Sequence, residues 1–148
     1  MKKQFIHYGS TIYNPELVRP IRNIDWRSKP LGGYWMSPID SIYSWKEWCL
    51  EEDFRSDKYF ESSVKLEFKD DAKIYIIDSY SDLEKLSYIN YRELIPTLDF
   101  EKISKEYDAI WLTVKGEQVT RFSKPISLYG WDCESVLVMN PQSIYQIY

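Results

Sequence analysis

The chain has 148 residues, 44% of them apolar and 28% charged, a composition that suits one domain with one sizeable core. Its net charge of −4, from 19 Lys and Arg against 23 Asp and Glu, argues against a protein held to nucleic acid mainly by phosphate attraction and leaves only a local basic patch open. Two cysteines, Cys49 and Cys133, and a single histidine with no C-x-x-C spacing argue against a disulfide framework and against a metal site built from soft ligands. No run of 18 apolar residues occurs, and the start MKKQFIHYGS lacks the apolar stretch and small-residue cleavage site of a signal peptide, so the expectation is a cytoplasmic protein without a membrane span. The aromatic share of 17%, with 13 Tyr and 6 Trp, is high, and such a surplus often lines something flat.

In chain order, Phe5 to Tyr8 reads as a short strand stopping at Gly9-Ser10, and the proline-rich segment 11–31 reads as irregular with one helical turn at Pro15 to Val18. Gly32-Gly33 allows a tight turn into the strand YWMS. Asp40 or Ser41 is the expected cap of a helix running to about Asp53, whose Ile42, Trp45 and Cys49 share a face predicted to be buried. Val64 to Phe68 and Lys73 to Ile77 read as a hairpin around Lys69-Asp70-Asp71. A second helix is expected from Ser81 through DLEKLSYI, and a third, capped by Asp99, over FEKISKEY. AIWLTV is the next strand, Lys115 to Glu117 its turn, and Gln118 to Tyr129 a polar strand or loop. A strand from Glu134 to Asn140 and a short terminal strand after Pro141 close the chain. The pattern predicts a single α+β domain over residues 1–148, with strands from both ends of the sequence available to its core.

Three short segments carry candidate chemistry. HYGS, residues 7–10, places the only histidine at a strand end beside a glycine; a lone histidine there is by default a hydrogen-bonded structural residue. GGYWMS, residues 32–37, leads into the aromatic segment of Tyr43, Trp45 and Trp48, residues that more often fill a core than stack on a ligand. WDCE, residues 131–134, sets Asp132 and Glu134 at the mouth of the apolar run SVLVM; in a strand of period two they share one face.

Taken together, the order and chemical type of these segments resemble the ADP-ribosyltransferase superfamily in its histidine branch. There, a first strand ends in a histidine followed by a small residue, Gly-x-aromatic-x-Ser/Thr opens a second strand, and a glutamate starts a late one. His7 with Gly9, Gly33 to Ser37, and Glu134 before SVLVMNP match in turn. The resemblance implies an α+β fold of split antiparallel β-sheets around an NAD cleft with a few flanking helices. It implies NAD as co-substrate, no metal, and mono-ADP-ribosyl transfer to a macromolecular acceptor, protein or nucleic acid, by enzymes that are commonly toxins or phage effectors.

By the same resemblance Glu134 is the catalytic carboxylate; His7, Tyr8, Gly9, Ser10, Trp35, Ser37, Tyr43 and Trp45 surround NAD, and Tyr129, Trp131 and Asp132 meet the acceptor. The chemistry fits one carboxylate. Nicotinamide leaves without needing a proton, and a carboxylate on a ribose hydroxyl gains strength as positive charge grows on the sugar. Departures from the family pattern are Tyr8 between His7 and Gly9, Trp35 in the usual tyrosine position, and Asp132 where transferases often carry Gln or Glu. Hydrolysis of NAD by water keeps the same fold, as does removal of an RNA 2′-phosphate, for which Arg19, Arg22, Arg27 and Lys29 offer a basic cluster. A noncatalytic module with an aromatic binding surface is the alternative from outside enzymology.

Overall fold

A computed structural model describes residues 2–25, 27–91 and 95–148. Its centre is a seven-stranded sheet in the order β4-β7-β8-β2-β1-β3-β9, formed by Ile74–Ile77 (β4), Ala109–Leu112 (β7), Ser135–Val138 (β8), Tyr34–Pro38 (β2), Phe5–Tyr8 (β1), Ser63–Phe68 (β3) and Ile144–Ile147 (β9). Neighbours are antiparallel except β4 and β7, which run parallel. Tyr88–Tyr91 (β5) and Ile95–Leu98 (β6) form a separate two-stranded ladder. The α+β class expected from the sequence therefore holds, with a mostly antiparallel, partly mixed sheet. The first and last strands, β1 and β9, flank β3 from its two sides.

Both faces of the sheet are covered, which explains why β8 reads as a continuous apolar run. Val136 and Val138 join Phe5, Met36, Leu66 and Ala109 on one face. Leu137 joins Ile110, Leu112, Phe100 and Trp131 on the other. Gly32 and Gly33, at φ +79° and +75°, make the left-handed turn that starts β2.

The middle of the sheet has a seam. β1 meets β2 only through Phe5–Pro38 and Ile6–Ser37, extended at that end by the Ile39 N–H bonding the Gln4 carbonyl at 3.1 Å. Beyond Ile6 the ladder stops: β1 stays with β3 through His7–Val64 and Tyr8–Ser63, while Tyr34 to Met36 pair with β8. The strands separate between Tyr8 and Trp35.

Local expectations fail where a partner distant in sequence decides the outcome. The helix after β2 is Trp45–Glu51 (α1), capped by Ser44 rather than Asp40 or Ser41, because the Glu47 carboxylate reaches back to the Ser44 N–H at 3.0 Å and to its hydroxyl. Ile42 lies before that helix and is 82% exposed, so it has no part in a buried face. β3 and β4 are not a hairpin: β3 pairs with β1 and β9, and β4 with β7. The second helix is only Tyr80–Glu84 (α2), capped by Ser79, and Tyr88 already belongs to β5. Asp99 does cap the third, Phe100–Ile103 (α3). After β7 the chain forms a helix, Val114–Thr120 (α4), in place of a turn and polar strand. Thr113 caps it by accepting the Gly116 N–H at 3.0 Å, and Gly116 is needed because a Cβ would strike the Ile77 carbonyl.

Candidate functional site

A cleft of about 260 Å³ opens where β1 and β2 part. Ile6, His7 and Tyr8 come from β1, Trp35, Met36 and Ser37 from β2, and Asp132, Cys133 and Ser135 from the approach to β8; Trp45 of α1, Tyr59 and Lys29 complete its wall. All three sequence motifs thus contribute to one space, because β8, β2 and β1 are consecutive neighbours in the sheet.

His7 Nδ1 lies 2.6 Å from the Trp35 carbonyl. A carbonyl only accepts, so Nδ1 carries the proton and spans the gap left by the missing ladder. Burial lowers the His7 pKa, opposed by that backbone bond, so the neutral ring predominates at pH 7 and its other nitrogen, Nε2, is an acceptor. The imidazole also stacks on Tyr34 with centroids 4.2 Å apart. Trp35 packs edge-on against Trp131 at 4.8 Å, with the Lys29 ammonium 5.6 Å from its centroid. Trp45 stacks on Trp48 at 5.2 Å. Cys133, 2% exposed, has its thiol pushed up to about 12 by burial, opposed by the Ser135 hydroxyl, so it is no thiolate nucleophile at neutral pH.

The two acids differ from expectation. β8 begins at Ser135, Asp132 is irregular and residues 133–134 are bends, so period-two geometry does not apply to the pair. Asp132 lines the cleft, with Oδ1 3.7 Å from the Arg121 guanidinium. Glu134 does not line it. Trp111 stands opposite Val136 in the register, on the face that Glu134 also takes, and its indole N–H donates to Glu134 Oε2 at 2.8 Å. Glu134 is 8% exposed and makes no salt bridge among the described residues. Ser37 reaches Glu134 through the main chain, its hydroxyl donating to the Glu134 carbonyl at 3.4 Å.

Other expected positions also move. The Gly9 N–H is taken by the Ser62 carbonyl at 2.9 Å and is not free to receive an amide; neither Gly9 nor Ser10 lines the cleft. Tyr43 supports the site from outside: its carbonyl accepts the Glu134 N–H at 3.0 Å, and burial, helped by the Glu51 carboxylate, pushes its phenol up to about 12. Trp131 is wholly buried and cannot face an acceptor; its indole donates to the Ser28 carbonyl at 2.6 Å. Tyr129 is 60% exposed, outside the cleft. Tyr59 and Trp111 were not singled out as parts of this site, and Lys29 only within the basic cluster of the 2′-phosphate alternative. For Trp111 the signal was available, since in AIWLTV it alternates with buried Ile110 and Leu112 and so faces the other side of the sheet.

Among the described residues, no group of three or more His, Cys, Asp or Glu is placed to hold a metal ion, and no helix is long and apolar enough to cross a membrane. No protein-family model, curated protein or solved structure matches the chain.

Proposed function

We propose that the cleft binds NAD and that the protein is an NAD-dependent mono-ADP-ribosyltransferase in which Asp132, rather than Glu134, is the carboxylate facing the substrate. The observation that carries the reading is the parting of β1 from β2, which gathers His7, Trp35, Ser37 and Asp132 around one aromatic-walled space. Trp35, Trp45 and Tyr59 suit the flat nicotinamide and adenine rings, and neutral His7 suits a ribose hydroxyl.

In the reaction, the ribose C1′–N bond breaks with its electron pair passing to the nicotinamide nitrogen, releasing neutral nicotinamide. The acceptor then bonds C1′ and loses its proton to water. Asp132 accepts a hydrogen bond from a ribose hydroxyl, and its charge stabilises the cationic sugar more in the transition state than in the ground state. With water as acceptor the same step is NAD hydrolysis.

Glu134, turned toward Trp111, favours a second reading, an aromatic-walled module that holds a nucleotide without cleaving it. Two measurements decide. NAD should quench the tryptophan fluorescence of the protein, and nicotinamide should appear with time. Quenching without nicotinamide leaves the binding module; neither effect removes NAD from both readings.

A further inference from the structure

Beside the cleft lies a second, more open recess, lined by Ile24, Arg27, Ser28, Lys29, Tyr129 and Gly130 together with Pro30. Lys29 belongs to both spaces. The recess has a fixed floor: the Ser28 hydroxyl donates to the Tyr129 carbonyl, and the buried Trp131 indole donates to the Ser28 carbonyl at 2.6 Å. Two hydrogen bonds therefore tie the loop bearing two cations to the segment bearing an exposed aromatic ring.

That ring is part of a platform. Tyr129 and Phe122 are 60% and 74% exposed, with centroids 5.7 Å apart, and the Arg121 guanidinium lies 5.7 and 5.6 Å from them. Arg121 is held by Glu117 at 3.1 Å and by Asp132 at 3.7 Å, so it supports the rings instead of reaching outward. Large exposed rings grouped in this way add nothing to the core and mark a contact surface. Arg27 and Lys29 make no salt bridge among the described residues.

We propose that this recess binds a single-stranded nucleic acid, a base stacking on Tyr129 while Arg27 and Lys29 take the flanking phosphates. Stacking on an exposed ring needs an unpaired base, which a duplex does not offer, and cations within one recess provide the electrostatic part. A net charge of −4 limits that part to this patch, so the contact is short. Because Lys29 also lines the cleft, a strand held here lies against the cleft that Asp132 lines. It rests on the reading above only in making the strand the acceptor of ADP-ribose.

The test is fluorescence anisotropy without NAD, using labelled 12-residue single strands of DNA and of RNA and the matching duplexes, for the wild-type protein, Tyr129→Ala and Arg27→Ala. Both side chains are exposed, so neither variant should unfold, and a thermal melt verifies it. Single strands should bind at least several-fold more tightly than duplex, and Tyr129→Ala should weaken them roughly 10-fold. With two phosphates contacted, the log–log salt dependence should have a slope near −1.4, at about 0.7 per phosphate. Equal binding by Tyr129→Ala, equal binding of duplex, or no binding overturns the site. In parallel, a lysate labelled from radioactive NAD is divided between nuclease and protease. Label removed by nuclease supports the strand as acceptor, and label removed only by protease overturns that role. Nicotinamide release without any strand binding sinks this inference and leaves the transferase, whereas Tyr129-dependent binding without release supports the recess and removes the transferase.

Discussion

Asp132 and Glu134 are two residues apart, yet the chain gives them opposite surroundings. Asp132 stands in the wall of the cleft with its charge partly answered by Arg121. Glu134 is sealed on the far side of the strand, answered by one indole N–H and no cation among the described residues. A partly exposed, loosely paired carboxylate costs little to keep and is free to act on a ligand. A buried one without a cation carries a desolvation penalty that a single neutral hydrogen bond does not fully offset. The contrast teaches that proximity in sequence to a functional residue is no guide to its side of a sheet, because one bend reassigns the face.

The largest expected effect breaks the comparison outright. Asp132→Asn should slow nicotinamide release on the order of 100-fold or more, the loss typical of one preorganised electrostatic group, while Glu134→Gln should remain within several-fold of wild type. If Glu134→Gln is the dead variant and Asp132→Asn the active one, the assignment goes back to the residue favoured by the family resemblance. Steady-state assays of both decide.

Stability should rank the two acids the other way. Trp111→Phe keeps a ring against Phe5, whose centroid lies 5.4 Å away, but removes the donor to Glu134 and should cost about 1–3 kcal/mol in urea unfolding. Removing the Arg121 partner with Asp132→Ala should cost under about 1 kcal/mol, as befits a long, partly exposed pair. A Trp111→Phe protein as stable as wild type would show that the indole bond is of no consequence to Glu134.

The smallest effect concerns pH. His7 is the only histidine, and burial holds its folded pKa below the unfolded value. The unfolded chain therefore takes up the proton first, and stability contributed by neutral His7 is full above the ordinary histidine value of 6.5 and declines as pH falls through and below it. The melting temperature should drop between pH 7 and 5.5 in the wild type and less so in His7→Gln. Parallel curves for the two proteins would assign the decline to carboxylates.

How much of this was legible follows from which partners are local. β1, β2 and β8 were readable because each is a short apolar run with a turn at its end, and the cap Asp99 acts within three residues of itself. The hairpin of β3 and β4 was misread because Lys69-Asp70-Asp71 is a true turn signal, yet strand pairing here is settled by β1, β7 and β9, far away in the chain. Helix α4 was missed because Val114, Gly116, Val119 and Thr120 have poor helical propensity; what overrides it is the Thr113 cap and the tight packing of Gly116 on Ile77. For the site, the three motifs announced themselves by type and order. Which of their side chains enter the cleft did not, since that depends on the bend at 133–134 and on the donor that Trp111 supplies from another strand.

The seam between β1 and β2 has a mechanical consequence. Two residue pairs join a block of β1, β3 and β9 to a block of β2, β8, β7 and β4, closed at the Phe5 end and open at the Tyr8 end. A slight rotation about the closed end widens or narrows the cleft while every other ladder in the sheet stays intact. A ligand lodged in the opening ties the blocks together like a wedge glued in place, and the backbone amides bordering it, in β1 and β2, should then exchange with deuterated solvent more slowly than those of β4 or β9, which sit at the sheet's outer edges and feel none of it.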